Sequence, residues 1–102
     1  MKLLIDENLP PVMARSLQAL FEGKHEIIAL RDKFNSAGVT DLQWITSLGK
    51  EGNWSVLTAD VRLAKNRVER NAFLSSNIVG FVMAPALRKR PLTIQMARIL
   101  SI

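Results

Sequence analysis

The sequence predicts an α/β fold, a mostly parallel sheet of about four strands with helices on its faces. Two observations carry this prediction. Four short apolar runs, at residues 2–5, 26–30, 55–58 and 77–83, alternate with segments of helical apolar spacing or helix-forming composition. The connections are short, as expected where each parallel strand is followed by a helix that crosses back. At 102 residues and 48% hydrophobic content the chain suits one domain, residues 1–102, and is too short for two.

Residues 2–5 read as a short apolar strand. The next segment places Met13, Leu17, Leu20 and Phe21 at i, i+4, i+7 and i+8, one face of a helix. Pro10 and Pro11 fit its first turn, where N–H groups have no intrahelical partner, and Gly23 is its natural stop. Residues 26–30 form a second strand. Residues 31–39 (RDKFNSAGV) show no period and are expected to be a loop.

Thr40 and Gln43 then make a capping box for a helix that buries Leu42, Trp44, Ile45 and Leu48 and is closed by Gly49 and Gly52. Residues 55–58 and 77–83 are strands three and four. Between them, residues 61–75 are rich in helix formers, yet Leu63, Val68 and Leu74 share no face, which predicts an interruption near Asn66. Pro91 opens a last helix with Leu92, Met96, Ile99 and Leu100 on its stripe.

Fourteen Lys and Arg against nine Asp and Glu give a formal charge of +5, which attracts polyanions at long range, nucleic acid foremost. The absence of cysteine excludes disulfides and thiolate metal sites, and the single histidine, His25, excludes His-rich zinc chemistry. Any metal would be held by oxygen. The first apolar run is broken at Asp6, too early for a signal peptide, and no stretch approaches the roughly 18 apolar residues of a membrane span. A cytoplasmic protein without membrane contact is expected.

In a parallel sheet, ligands collect beyond the carboxyl ends of the strands, where the strand order reverses. Asp6 directly follows strand one, and Asp60 lies two residues past strand three in VLTAD. Asp41 opens the helix after strand two, which must begin near the same edge. Each acid has an ordinary explanation. Asp6 or Asn8 would cap the first helix, Asp41 would sit in a first turn behind Thr40, and Asp60 would cap the segment after it.

Together they are harder to explain, because two carboxylates ~4 Å apart repel by about 4 kcal/mol at an effective dielectric near 20. Mg²⁺ or Mn²⁺ held by carboxylate and water oxygens offsets that repulsion. Such an ion activates water and stabilises phosphodiester oxygens during displacement. Arg62, Lys65, Arg67, Arg70, Arg88, Lys89 and Arg90 would hold flanking phosphates, or would simply solvate the surface. The expectation is metal-dependent cleavage of nucleic acid at Asp6, Asp41 and Asp60.

LIDENLPP, the H-E-I-I-x-L-R-D run after the first helix, G-V-T-D-L-x-W-I and V-L-T-A-D-x-R, with Ala84-Pro85 beyond strand four, resemble in order and spacing the PIN-like domains of VapC-type toxins. The resemblance covers nearly the whole chain. It implies a three-layer α/β sandwich and an Mg²⁺- or Mn²⁺-dependent endoribonuclease whose metal ligands are Asp6, Asp41 and Asp60, with Glu7 and Asn8 in support. It further implies that Thr58 orients Asp60 or touches substrate, and that the partners are RNA, a cognate antitoxin and a second copy in a homodimer. Asp41 stands where the family pattern often carries Glu, and Glu69 is the one candidate for a fourth acid after T-x-D.

Two other readings stay open. A catalytically silent module binding RNA or antitoxin would share the fold and the basic patch without metal. A receiver domain would use Asp60 as phosphate acceptor, but it needs a hydroxyl residue after strand four, where Met83 is followed by Ala84 and Pro85, and a Lys-Pro after a fifth strand.

Overall fold

A computed structural model of the chain describes residues 1–34, 39–61 and 66–101. Strands β1 (Lys2–Ile5), β2 (Glu26–Ala29), β3 (Trp54–Thr58) and β4 (Val79–Val82) form one all-parallel sheet in the order β2-β1-β3-β4. The helices are α1 (Pro11–Leu20), α2 (Leu30–Phe34), α3 (Asp41–Glu51), α4 (Arg67–Ser76), α5 (Pro85–Arg88) and α6 (Leu92–Leu100). From β1 the chain moves to one side for β2, then returns to the other side for β3. The order therefore reverses between β1 and β3.

Alternation along the strands divides the core in two. Ile5, Ile27 and Leu57 face Leu9 and α1 through Met13, Ala14 and Leu17, with Leu87, Leu92, Met96 and Ile99 packed behind. Leu4 and Val56 face Leu30, then Trp44, Ile45 and Leu48 of α3, with Ala72 and Phe73 of α4 beside them. Helices thus cover both faces, making three layers. Trp44, Ile45 and Leu48 have no exposed surface, and burial of an apolar side chain of this size contributes roughly 1.5–3 kcal/mol.

Several local expectations are corrected. Residues 31–34 are not loop but belong to α2, because Leu30 and Phe34, one helical turn apart, both pack into the second core. That pair straddles the boundary between an apolar strand and a polar segment, so its period is hidden. Leu20, at 59% exposure, is excluded from the first core because α1 ends there and Phe21 packs in its place. Leu42 and Leu100 are also exposed, at the first and last turns of their helices.

Gly49 lies inside α3; the helix closes at Gly52, whose φ of +80° suits a residue without Cβ. A Cβ on Gly49 would stand 2.7 Å from the Cβ of Ser76, so this glycine lets α4 lie close against α3. The interruption expected near Asn66 coincides with a helix start. The Asn66 side chain accepts from the N–H groups of Val68 and Glu69 at 3.0 and 3.2 Å, capping α4. Val68 and Leu74 are exposed, and α4 packs through Ala72 and Phe73 instead. Leu63 lies outside the described residues.

Candidate active site

Asp6 leaves the ladder at the carboxyl end of β1, with its N–H donating to the Leu57 carbonyl at 2.9 Å. The residue is 5% exposed. Oδ1 accepts from the Glu7 N–H at 2.7 Å, and Oδ2 accepts from the Thr58 hydroxyl at 2.7 Å. The Thr58 oxygen in turn accepts from Asn8 Nδ2 at 3.2 Å and from the Asp60 N–H at 3.0 Å. Asn8 Oδ1 accepts from the Ala59 N–H at 3.1 Å. These bonds staple the ends of β1 and β3 on either side of the reversal point.

A hydroxyl has one proton and two lone pairs, and at Thr58 all three are committed. Thr58 is itself only 1% exposed. It positions Asp6 and the Asp60 backbone. Burial pushes the Asp6 carboxyl above its ordinary value of 3.8; the hydrogen bonds from Thr58 and Glu7 pull it down, and the negative charges of Asp41 and Glu7 push it further up.

Asp41 is the first residue of α3, and one of its oxygens accepts from the Trp44 indole N–H at 3.0 Å. Thr40 and Gln43 form the complete capping box, and Asp41 sits in the first turn behind Thr40, as its ordinary explanation requires. Asp6 and Asn8, by contrast, do not cap α1, whose N-cap is Pro10 with no side-chain bond. The structural explanations of Asp6 and Asn8 as caps are thereby removed. Asp60 is half-buried one position beyond Ala59.

Asp6, Asp41 and Glu7 share an edge and repel, and no cationic side chain is paired with Asp6 or Asp41 among the described residues. The same residues contain no group of three acids, histidines or cysteines placed to hold a metal ion. The three carboxylates are therefore not gathered into a closed cage. In kind the donors still fit a hard divalent ion. They are oxygens carrying uncompensated charge, and Mg²⁺ commonly takes one or two carboxylates while keeping several waters.

Of the basic residues expected to hold phosphate, Arg88 donates from Nη2 to the Asn8 carbonyl at 3.3 Å and lines a cavity with Glu7. Arg70 faces a cleft that reaches Thr58. Lys89 and Arg90 are exposed at the corner between α5 and α6, and Arg62 and Lys65 lie outside the described residues. Sequence reasoning missed Gln95. It is buried, and its Nε2 donates to the carbonyls of Arg88 and Arg90 at 3.0 and 2.9 Å, fixing the corner that carries these cations. The signal was a polar residue three positions after Leu92, on the apolar side of α6.

The fold and site define an α/β domain with an acidic pocket where its parallel sheet reverses. Residues 1–85 match the family model described as a PIN-like domain, and the chain belongs to that family. PIN-like domains have a nuclease-type fold and are typically dependent on divalent metal. No curated protein and no solved structure matches the chain. Among the described residues no fifth strand follows β4, as a receiver domain would require, and no helix is long and apolar enough to cross a membrane.

Proposed function

We propose that this PIN-like protein is a Mg²⁺- or Mn²⁺-dependent endoribonuclease, the toxin of a type II toxin–antitoxin pair acting in the cytoplasm. The observation that carries the reading is Asp6: a buried carboxylate that caps nothing, is held in direction by Thr58, and faces the repelling charge of Asp41. Groups whose proton affinity is shifted by desolvation and by neighbouring charge concentrate at sites that do chemistry.

Asp6 and Asp41 would hold the ion, with Asp60 as third acid and Glu7 as an outer acceptor. The bound ion would lower the pKa of water and neutralise charge on the phosphodiester oxygens. The chain's own residues supply the geometry. The Glu7 N–H and Thr58, itself held by Asn8, fix the Asp6 oxygens, Trp44 fixes Asp41, and Arg88, backed by Gln95, holds a phosphate beside the scissile one, with Arg62, Lys65, Lys89 and Arg90 extending the grip. The antitoxin and the homodimer belong to the same proposal, and co-expression with the product of the neighbouring gene tests the former through relief of growth arrest.

The decisive experiment is cleavage of single-stranded RNA with and without Mg²⁺. The parent is expected to cleave only with the ion, and Asp6→Asn to lose at least about a hundredfold, the scale of removing one preorganised electrostatic contact. An Asp6→Asn protein that cleaves as fast as the parent would overturn the mechanism. A second reading, a silent module that binds RNA or antitoxin, is favoured by the lack of a three-ligand group among the described residues. It predicts RNA binding without cleavage under either condition.

A further inference from the structure

Two arginines outside the basic set named above stand at the same edge. A cavity of about 210 Å³ is lined by Asp6 and Glu7 and by Arg15 of α1 and Arg31 of α2. Both arginines are exposed, and neither has an ion pair or side-chain hydrogen bond among the described residues, although Asp32 lines the same cavity. Neither guanidinium forms an ion pair with the Asp6 carboxyl among the described residues. Beyond the Glu7–Pro11 ridge a second cavity, of about 410 Å³, is lined by Asn8, Arg88 and Gln95. Glu7, Leu9, Pro10 and Pro11 line both cavities, so cations flank the acidic edge on each side.

We propose that Arg15 and Arg31 form a phosphate subsite for a single RNA strand that crosses the carboxyl end of β1, with Arg88 holding the same strand on the far side of Asp6. The inference rests on the nuclease reading and adds the path of the substrate. Asp6, Glu7 and Asp41 repel phosphate at the centre, so a polyanion crossing them must be held by cations set back to either side. A guanidinium suits this task, because its planar fork engages two phosphate oxygens at once and stays charged at any working pH.

The test is binding of a single-stranded RNA of about ten nucleotides, within the range of single-strand sites, measured by anisotropy across a salt series in metal-free buffer. The parent is compared with Arg15→Ala/Arg31→Ala and with Lys24→Ala/Lys50→Ala, a control at the opposite edge of the sheet. Each pair lowers the formal charge from +5 to +3 by removing two cations. Because two phosphates would go unneutralised, the arginine variant is expected to flatten the slope of log K against log salt by about 1.4 and to bind roughly tenfold more weakly. The lysine variant should stay near the parent. All three should melt alike, since both arginines are exposed and unbonded. If the parent binds and the two variants match each other, the subsite is wrong while the nuclease reading stands. If the parent binds no RNA, the subsite is wrong as well, and the nuclease reading is decided separately by cleavage with Mg²⁺.

Discussion

Asp6 shows how one side chain can be costly to the fold and useful to the site. Burial holds its carboxyl above 3.8, so the folded chain binds that proton more tightly than the unfolded chain does. The sign follows: the stability contributed by the protonated group is fully present below about 3.8 and is lost as pH rises through the higher folded value. Asp6→Asn removes this titration. In metal-free buffer, the Tm of the parent minus that of Asp6→Asn is therefore expected to fall as pH rises from about 4 to 7. A difference that stays flat would show that burial does not govern this group. The position of Asp6 was legible in the sequence, since an acid after an apolar strand lies at the carboxyl edge. The inward turn of the Thr58 hydroxyl was not legible, because the last residue of a strand gives no periodic sign of whether it faces core or ligand.

Among the elements, those with both a period and a cap were readable. Thr40 and Gln43 marked α3 correctly because capping box and apolar stripe agree. α4 resisted because its packing runs through Ala72 and Phe73, too few to make a stripe, while its larger apolar residues Val68 and Leu74 face outward. The close approach of α3 and α4 was invisible, since a helical glycine reads as a stop signal. Gly49→Ala tests that approach. Alanine favours helix locally, but its Cβ would meet Ser76 at 2.7 Å. The expected outcome is a loss of about 1–3 kcal/mol in chemical denaturation, the range for overpacking. A gain would mean that the two helices part freely.

The molecule as a whole joins parts of the chain that are distant in sequence, and a bound ion would tighten that joining. Asp6 lies just beyond β1, while Asp41 begins α3, which packs on the face of the sheet that carries Leu4 and Val56. An ion held by both binds only the folded chain and stabilises it by about 2.7 kcal/mol at a hundredfold excess over its Kd. Mn²⁺ is therefore expected to raise the Tm of the parent by several degrees and to leave Asp6→Asn unmoved. An unchanged parent would favour the silent module. The alternation of strands and helices was legible in the sequence while the strand order was not, and that order brings a further consequence through the Thr58–Asp6 bond, whose partners lie 52 positions apart. A growing polypeptide still short of Thr58 has no means of orienting that carboxylate, and the reversal point forms only when β3 docks beside β1. During synthesis on the ribosome, any chemistry at this pocket is thus withheld until the chain has emerged past Thr58.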